Sequence, residues 1–273
     1  MDLTGKLEVV NLSDTGRKRP HNEDSTASDL SLGFCVIADG MGGYKAGEVA
    51  SAIAVTSVWD EVRKTLPSIK PGIVDEATGH TQESLLLKTA ILNANQYIYR
   101  TANSEALCQG MGTTVVSMLF YDNRVSIAHV GDSRGYRLRG DIFEQVTSDH
   151  SLVQELINRG FFTREEAIAN TPKNLVTRAL GIEEEVEVDV QEEQVQPGDI
   201  YLLCTDGLND MISDEEIHLT LSKYSANLLQ AGRELIRVAN GNGGKDNISV
   251  ILVKVLSDYP AGSGWLAKLK KRF

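Results

Sequence analysis

Six stretches of the chain are apolar, rich in β-branched residues and closed by turn-forming ones: 7–12, 32–38, 113–121, 125–130, 199–204 and 248–255. Each reads as a β-strand. Several are apolar on both faces, as expected of a sheet covered on both sides. The third and fourth flank Asp122-Asn123, a pair suited to a two-residue hairpin turn. Three other segments repeat apolar residues at helical spacing: 48–64 (Val55, Val58, Val62), 81–102 (Leu87, Ile91, Ala94, Ile98) and 226–240 (Leu228, Ala231, Leu235, Val238). Runs of strands with two long helices early and one late predict an α+β fold in layers, with helices packed outside sheets. Residues 71–79 read as a loop between the first two helices, and 149–181 as a mostly helical insertion, polar on its outside. No internal repeat is visible.

The pattern breaks near the end. One domain is expected over residues 1–257 and a tail over 258–273, beginning with the flexible run Pro260-Ala-Gly-Ser-Gly264. The tail sets Leu266, Leu269 and Phe273 at helical spacing among Lys268, Lys270, Lys271 and Arg272. It reads either as a frayed, solvated terminus or as a short docking segment for an anionic membrane or a partner groove.

Composition narrows the function. At 41% hydrophobic and 24% charged, the 273 residues can bury a large core. A formal net charge of -11 argues against nucleic acid, whose phosphates call for a basic face. The cysteines Cys35, Cys108 and Cys204 form no C-x-x-C pair, which fits buried thiols in a reducing compartment. Residues 1–18 lack the apolar core of a signal peptide, and no stretch reaches transmembrane length. A soluble, cytoplasmic monomer is the expectation.

The chemistry lies in short acidic motifs. Asp39 follows an apolar strand and precedes Gly40 and Gly42-Gly43; Asp206-Gly207 repeats the pattern after 200–205; Asp246 stands just before the last strand; and Glu23-Asp24 sits in a loop. Strands deliver carboxylates to a sheet edge, and glycine lets backbone approach a cation closely. A lone Asp-Gly is usually a turn. Several that the fold can gather into one place make a site for hard divalent cations, which select carboxylate and carbonyl oxygens. Arg19, four residues before Glu23, could grip a phosphate bidentately.

These residues bring a family into view. The run Asp14-Thr-Gly-Arg-Lys-Arg19-Pro-His-Asn-Glu23-Asp24, followed by Ala38-Asp39-Gly-Met-Gly-Gly43, resembles the opening of the bacterial metal-dependent Ser/Thr protein phosphatases of the protein phosphatase 2C (PPM) type. In family order come Gly110-Met-Gly-Thr-Thr114, His129-Val-Gly-Asp132-Ser-Arg134, Asp149-His-Ser151, Leu175-Val-Thr-Arg178-Ala-Leu-Gly181, Cys204-Thr-Asp206-Gly-Leu208 and Asp246-Asn247. The resemblance covers residues 9–255.

It implies a four-layer α-β-β-α sandwich, two antiparallel sheets flanked by helices. It implies two core Mn²⁺ or Mg²⁺ ions bridged by Asp39, with the Gly40 carbonyl on one. Asp206 and Asp246 would hold the first ion, and Glu23 would face the second through water, with Asp24 nearby. Asp132, with Asp206, matches the place of a weaker third ion, Arg19 the phosphate-binding arginine, and 149–181 a mobile flap that affects substrate choice. The implied reaction is hydrolysis of phosphoserine and phosphothreonine by a metal-activated water, with Asp39 and Arg19 as catalytic residues and no phosphoenzyme. The substrates would be phosphoproteins, such as a cognate bacterial Ser/Thr kinase and its targets. Many bacterial members carry histidine directly after the glycine run, where this chain has Tyr44. A phenol titrates near pH 10 and is the weaker acid, so metal-bound water is the expected proton donor to the leaving oxygen.

Other readings fit less well. A C-x-x-x-x-x-R phosphatase is excluded, because Met41, Thr114 and Asp210 stand six positions after the three cysteines. Asp149-His150-Ser151 is no triad, since adjacent residues point apart. Gly243-Gly244-Lys245 is followed by Asp246 where a P-loop needs Ser or Thr. A two-metal nuclease would need a basic groove. The remaining alternative is a regulatory phosphoprotein-binding module on the same fold, with little catalysis.

Overall fold

The computed structural model describes residues 2–43, 46–172 and 175–261. The chain runs β1 (Leu7–Asp14), β2 (Asp24–Asp29), β3 (Phe34–Met41), α1 (Ala46–Thr65), α2 (Gln82–Ser104), β4 (Gly112–Thr113), β5 (Val115–Tyr121), β6 (Arg124–Val130), β7 (Arg134–Arg139) and β8 (Ile142–Gln145). It continues through α3 (Leu152–Asn158), α4 (Arg164–Asn170), β9 (Asp189–Gln194), β10 (Ile200–Cys204), α5 (Asp206–Asn209), α6 (Asp214–Lys223), α7 (Leu228–Gly241) and β11 (Ile248–Val255).

The strands form two sheets, β1-β11-β10-β7-β8 and β2-β3-β5-β6-β9, with β4 paired to β3. Neighbouring strands are antiparallel throughout. Side chains alternate between faces along a strand, and the central strands use both. On β3, Cys35 and Ile37 enter the apolar layer between the sheets, while Phe34, Val36 and Ala38 pack under α1 and α2. On β11, Ile251, Val253 and Val255 face the other sheet, and Ile248, Val250 and Leu252 face α6 and α7. Three apolar layers therefore separate four structural ones, the α-β-β-α sandwich. The β5–β6 hairpin turns at Asp122 and Asn123, whose φ of 42° and 56° match the turn the sequence predicts.

Two expectations change. The insertion 149–181 is not mostly helical: α3 and α4 are seven residues each, and the other described residues there are turns, isolated bridges and irregular backbone. Gly160, at φ 71°, follows α3, and Pro172 stands just beyond α4; both residue types close helices. Strands β2, β7, β8 and β9 and helix α6 also lie outside the apolar pattern. Past the last strand, Tyr259 is buried, and the Ala261 amide donates to Asp122 Oδ1 (2.6 Å). The tail segment 265–273 lies outside the described residues.

Candidate metal centre

Strand ends of both sheets meet at one rim of the sandwich. Asp39 lies on β3 two residues beyond Ile37, so it shares the face that looks across to the other sheet. Asp24 pairs directly with Asp39 in the β2–β3 register and shares that face. From the opposite sheet come Asp206, immediately after β10 and Thr205, and Asp246, two residues before β11. Asp132 lies in the link from β6 to β7, which crosses between sheets. Arg19 and Glu23 are carried by the arm between β1 and β2.

A cavity of about 230 Å³ opens at this rim, lined by Arg19, Glu23, Asp39, Gly40, Asp132, Asp206 and Asp246 together with Met41, Gly42, Thr114 and Val176. Arg19 and every residue nominated as a metal ligand are in its wall, and Asp24 lies outside the lining. Two glycines permit the convergence. A Cβ on Gly40 would meet the Gly47 carbonyl oxygen at 2.1 Å, and one on Gly207 would meet the Asn247 carbonyl oxygen at 1.9 Å.

The electrostatics call for a cation. Burial pushes Asp39 well above the usual carboxylate range, and Asp24, Asp206, Asp246 and Asp132 add repulsion. Burial, with Asp132, Asp210 and Asp246, lifts Asp206 to about 8. Burial lifts Asp24 to about 7 although the Ser249 and Thr205 hydroxyls donate to it (2.6 and 2.9 Å). Asp132 reaches about 6, through burial and then Asp149. Among the described residues, Asp24 Oδ1 and Asp206 Oδ1 are buried without a hydrogen-bond partner. Arg19 Nη2 reaches Asp246 Oδ2 at 2.6 Å, but both side chains remain partly exposed, at 49% and 30%. Converging oxygen ligands, orphaned lone pairs and mutual repulsion are what bound divalent cations would relieve. The residues fit the ions.

A second group of metal-ligand types, His129, His150 and Asp189, does not. Arg178 Nη1 already lies 3.0 Å from His150 Nε2 and 2.7 Å from Asp189 Oδ1, so a guanidinium holds the cation's place. Nor is Asp149-His150-Ser151 a triad. Asp149 binds the Arg134 guanidinium, His150 Nδ1 accepts the Gly131 amide, and Ser151 caps α3.

The sequence gives no role to two hydroxyls beside Asp39. Thr114 Oγ1 accepts the Asp39 amide at 3.1 Å, and the Thr113 hydroxyl donates to the Asp39 carbonyl at 2.7 Å, fixing the peptide that carries the central carboxylate. Their signal is the run Gly110-Met-Gly-Thr-Thr114, which marks the resemblance without a role, since a Thr-Thr pair opening a strand is common wherever β-propensity is high. Tyr44 lies outside the described residues.

Comparison with known proteins agrees with this geometry. A family model described as Protein phosphatase 2C matches residues 17–252. The chain is 40% identical over 245 residues to the serine/threonine phosphatase Stp of Listeria innocua, covering 89% of this chain and 93% of that protein. The serine/threonine phosphatase PstP/Ppp of Mycobacterium tuberculosis superposes with a TM-score of 0.81 at 35% identity, over 92% of this chain and 99% of that one. A structure of the PstP catalytic domain in complex with two manganese ions aligns with a TM-score of 0.77 at 35% identity, over 92% and 99%. The carboxylate-lined rim between two sheets thus occurs in a chain whose sequence and fold both match one group: the chain belongs to the protein phosphatase 2C family.

Proposed function

We propose that the protein is a Mn²⁺- or Mg²⁺-dependent protein serine/threonine phosphatase that hydrolyses phosphoserine and phosphothreonine. The observation that carries this reading is the convergence of Glu23, Asp39, Asp132, Asp206 and Asp246 from both sheets on one cavity with Arg19 at its wall. Asp39, Asp206 and Asp246, with the Gly40 carbonyl, would hold the core ions. Glu23, in the same cavity wall, would face the second ion through water, and Asp132 with Asp206 offers a further, weaker position. The manganese pair in the PstP catalytic domain supports the choice of ion.

When bound, the cations supply an activated water near neutral pH and offset charge on the phosphoryl group. The chain's own residues do the rest. Arg19 presents a planar fork of donors where a phosphate would enter, a geometry suited to two phosphate oxygens. Thr113 and Thr114 fix the Asp39 peptide, so the central carboxylate is preorganised. The insertion 149–181 places Val176 in the cavity wall, so it can screen what accompanies the phosphoresidue. The partners are phosphoproteins, and a cognate Ser/Thr kinase with its targets is the proposed set. No helix among the described residues is long and apolar enough to cross a membrane.

The test is phosphate release from a phosphothreonine peptide by chelator-stripped protein, with and without Mn²⁺, beside Asp39→Ala. Release that Mn²⁺ restores, and that the variant lacks, is expected. No release from folded, Mn²⁺-loaded protein would leave a phosphoprotein-binding module as the better account.

A further inference from the structure

The arm that carries Arg19 and Glu23 lies between β1 and β2, outside both sheets, yet both side chains must sit at the cavity. One buried side chain fastens it. Asn247 is only 4% exposed. Its Nδ2 donates to the carbonyls of Thr15 and His21, each at 2.9 Å. Its Oδ1 accepts the Glu23 amide at 2.7 Å. The two carbonyls lie on either side of Arg19, so a single amide closes the loop beneath it. The neighbouring turn adds a second hold, with the Arg17 amide donating to the Gly244 carbonyl at 2.7 Å. The Asn247 backbone amide also donates to Asp246 Oδ1 at 2.9 Å.

We propose that Asn247 is a positioning residue that sets the phosphate grip of Arg19 and the placement of Glu23, by stapling the arm to the strand end that bears Asp246. This rests on the phosphatase reading above. The chemistry allows few substitutes. The staple needs two donors and one acceptor in a plane. An ionised Asp has no donors, and Gln places its amide one methylene further out. The orientation of the amide is fixed by its partners: reversed, Oδ1 would face two carbonyls and Nδ2 an amide hydrogen.

The experiment compares wild type, Asn247→Ala, Arg19→Ala and the double variant as full chains with Mn²⁺. It reads kcat, KM for a phosphothreonine peptide, inhibition by inorganic phosphate, and hydrogen exchange at the Glu23 amide. Asn247→Ala should raise KM and the phosphate inhibition constant roughly tenfold, the scale of a lost charge-assisted hydrogen bond, with a smaller change in kcat. In the Arg19→Ala background the same substitution should shift both by less than about twofold, because the group it positions is gone. Equal factors in the two backgrounds, or an unchanged KM with only a lower Tm, would overturn the proposal. Asn247→Asp keeps the size and the acceptor, must reproduce the KM shift, and is the variant to use if Asn247→Ala does not fold. Lack of Mn²⁺-dependent turnover in wild type would instead remove the phosphatase reading. Glu23 exchange, slow in wild type and fast in the variants, would then still test the staple, and slow exchange in the variants would overturn it.

Discussion

Five carboxylates held within one small cavity destabilise the fold that holds them. Asp206 illustrates the sign. Its carboxyl is lifted from 3.8 to about 8, chiefly by burial and then by Asp132. A raised value means that the folded state prefers the protonated form. The stability it contributes is full below the unfolded value and is lost as pH rises through the folded one. Without metal, the penalty therefore grows from about pH 4 to about pH 8, the window set by that shift. Asp206→Asn removes the charge and keeps the shape. In chelator this variant should unfold at a higher temperature than wild type, by a margin small near pH 4 and increasing toward pH 8. A margin independent of pH would mean that Asp206 is not the strained group. The function of Asp39, Asp206 and Asp246 was legible in the sequence because each stands in a short Asp-Gly or Asp-Asn motif at a strand end. Asn247 and Thr114 stand in two of the motifs, Asp246-Asn247 and Gly110-Met-Gly-Thr-Thr114, but their roles were not legible, because an amide or hydroxyl that serves distant backbone groups leaves no mark of its partners in the residues around it.

At the scale of elements, legibility followed burial. Strands β3, β5, β6, β10 and β11 are covered on both faces and announce themselves as apolar runs. The edge strands β2 (DSTASD) and β9 (DVQEEQ) are largely polar and half-buried. They exist because a neighbour offers backbone partners, which local sequence does not record. The insertion 149–181 carries polar residues at near-helical spacing, but glycine and proline cut it into two short helices. The close seat of α1 on β3 was equally invisible, and it leads to a prediction. A Cβ on Gly47, in the first turn of α1, would meet the Gly40 carbonyl carbon and oxygen at 2.8 Å. Gly47→Ala should cost about 1–3 kcal/mol of stability, as overpacking does. It should also weaken Mn²⁺ binding, since the displaced group is the Gly40 carbonyl. Gly43→Ala is the control, because nothing lies within 4 Å of a Cβ there. Calorimetric Mn²⁺ titration and thermal unfolding of the two variants separate the effects. Equal Mn²⁺ affinity in both would remove Gly40 from the ligand set.

For the whole molecule, the position of the centre matters more than its composition. Glu23 and Asp39 belong to one sheet and its approach, Asp206 and Asp246 to the other. Ions bound by all four would tie the sheets together at a rim where like charges otherwise push them apart. Unfolding must break that tie, so Mn²⁺ should stabilise the fold by mass action, by about 2.7 kcal/mol at one hundred times the dissociation constant. For a chain somewhat above the 150–250-residue class, that corresponds to roughly 5 °C in Tm. The shift should shrink as pH falls from 8 toward 5. The proton held by the Asp24 and Asp206 carboxyls, lifted to about 7 and about 8, then competes with the ion. Asp39→Ala, which removes the carboxylate between the two sheets, should abolish most of the shift at every pH. Scanning calorimetry with Mn²⁺ or chelator at several pH values checks all three expectations. A Tm indifferent to Mn²⁺ in a protein that still needs Mn²⁺ for turnover would mean that the ions rest on one sheet alone.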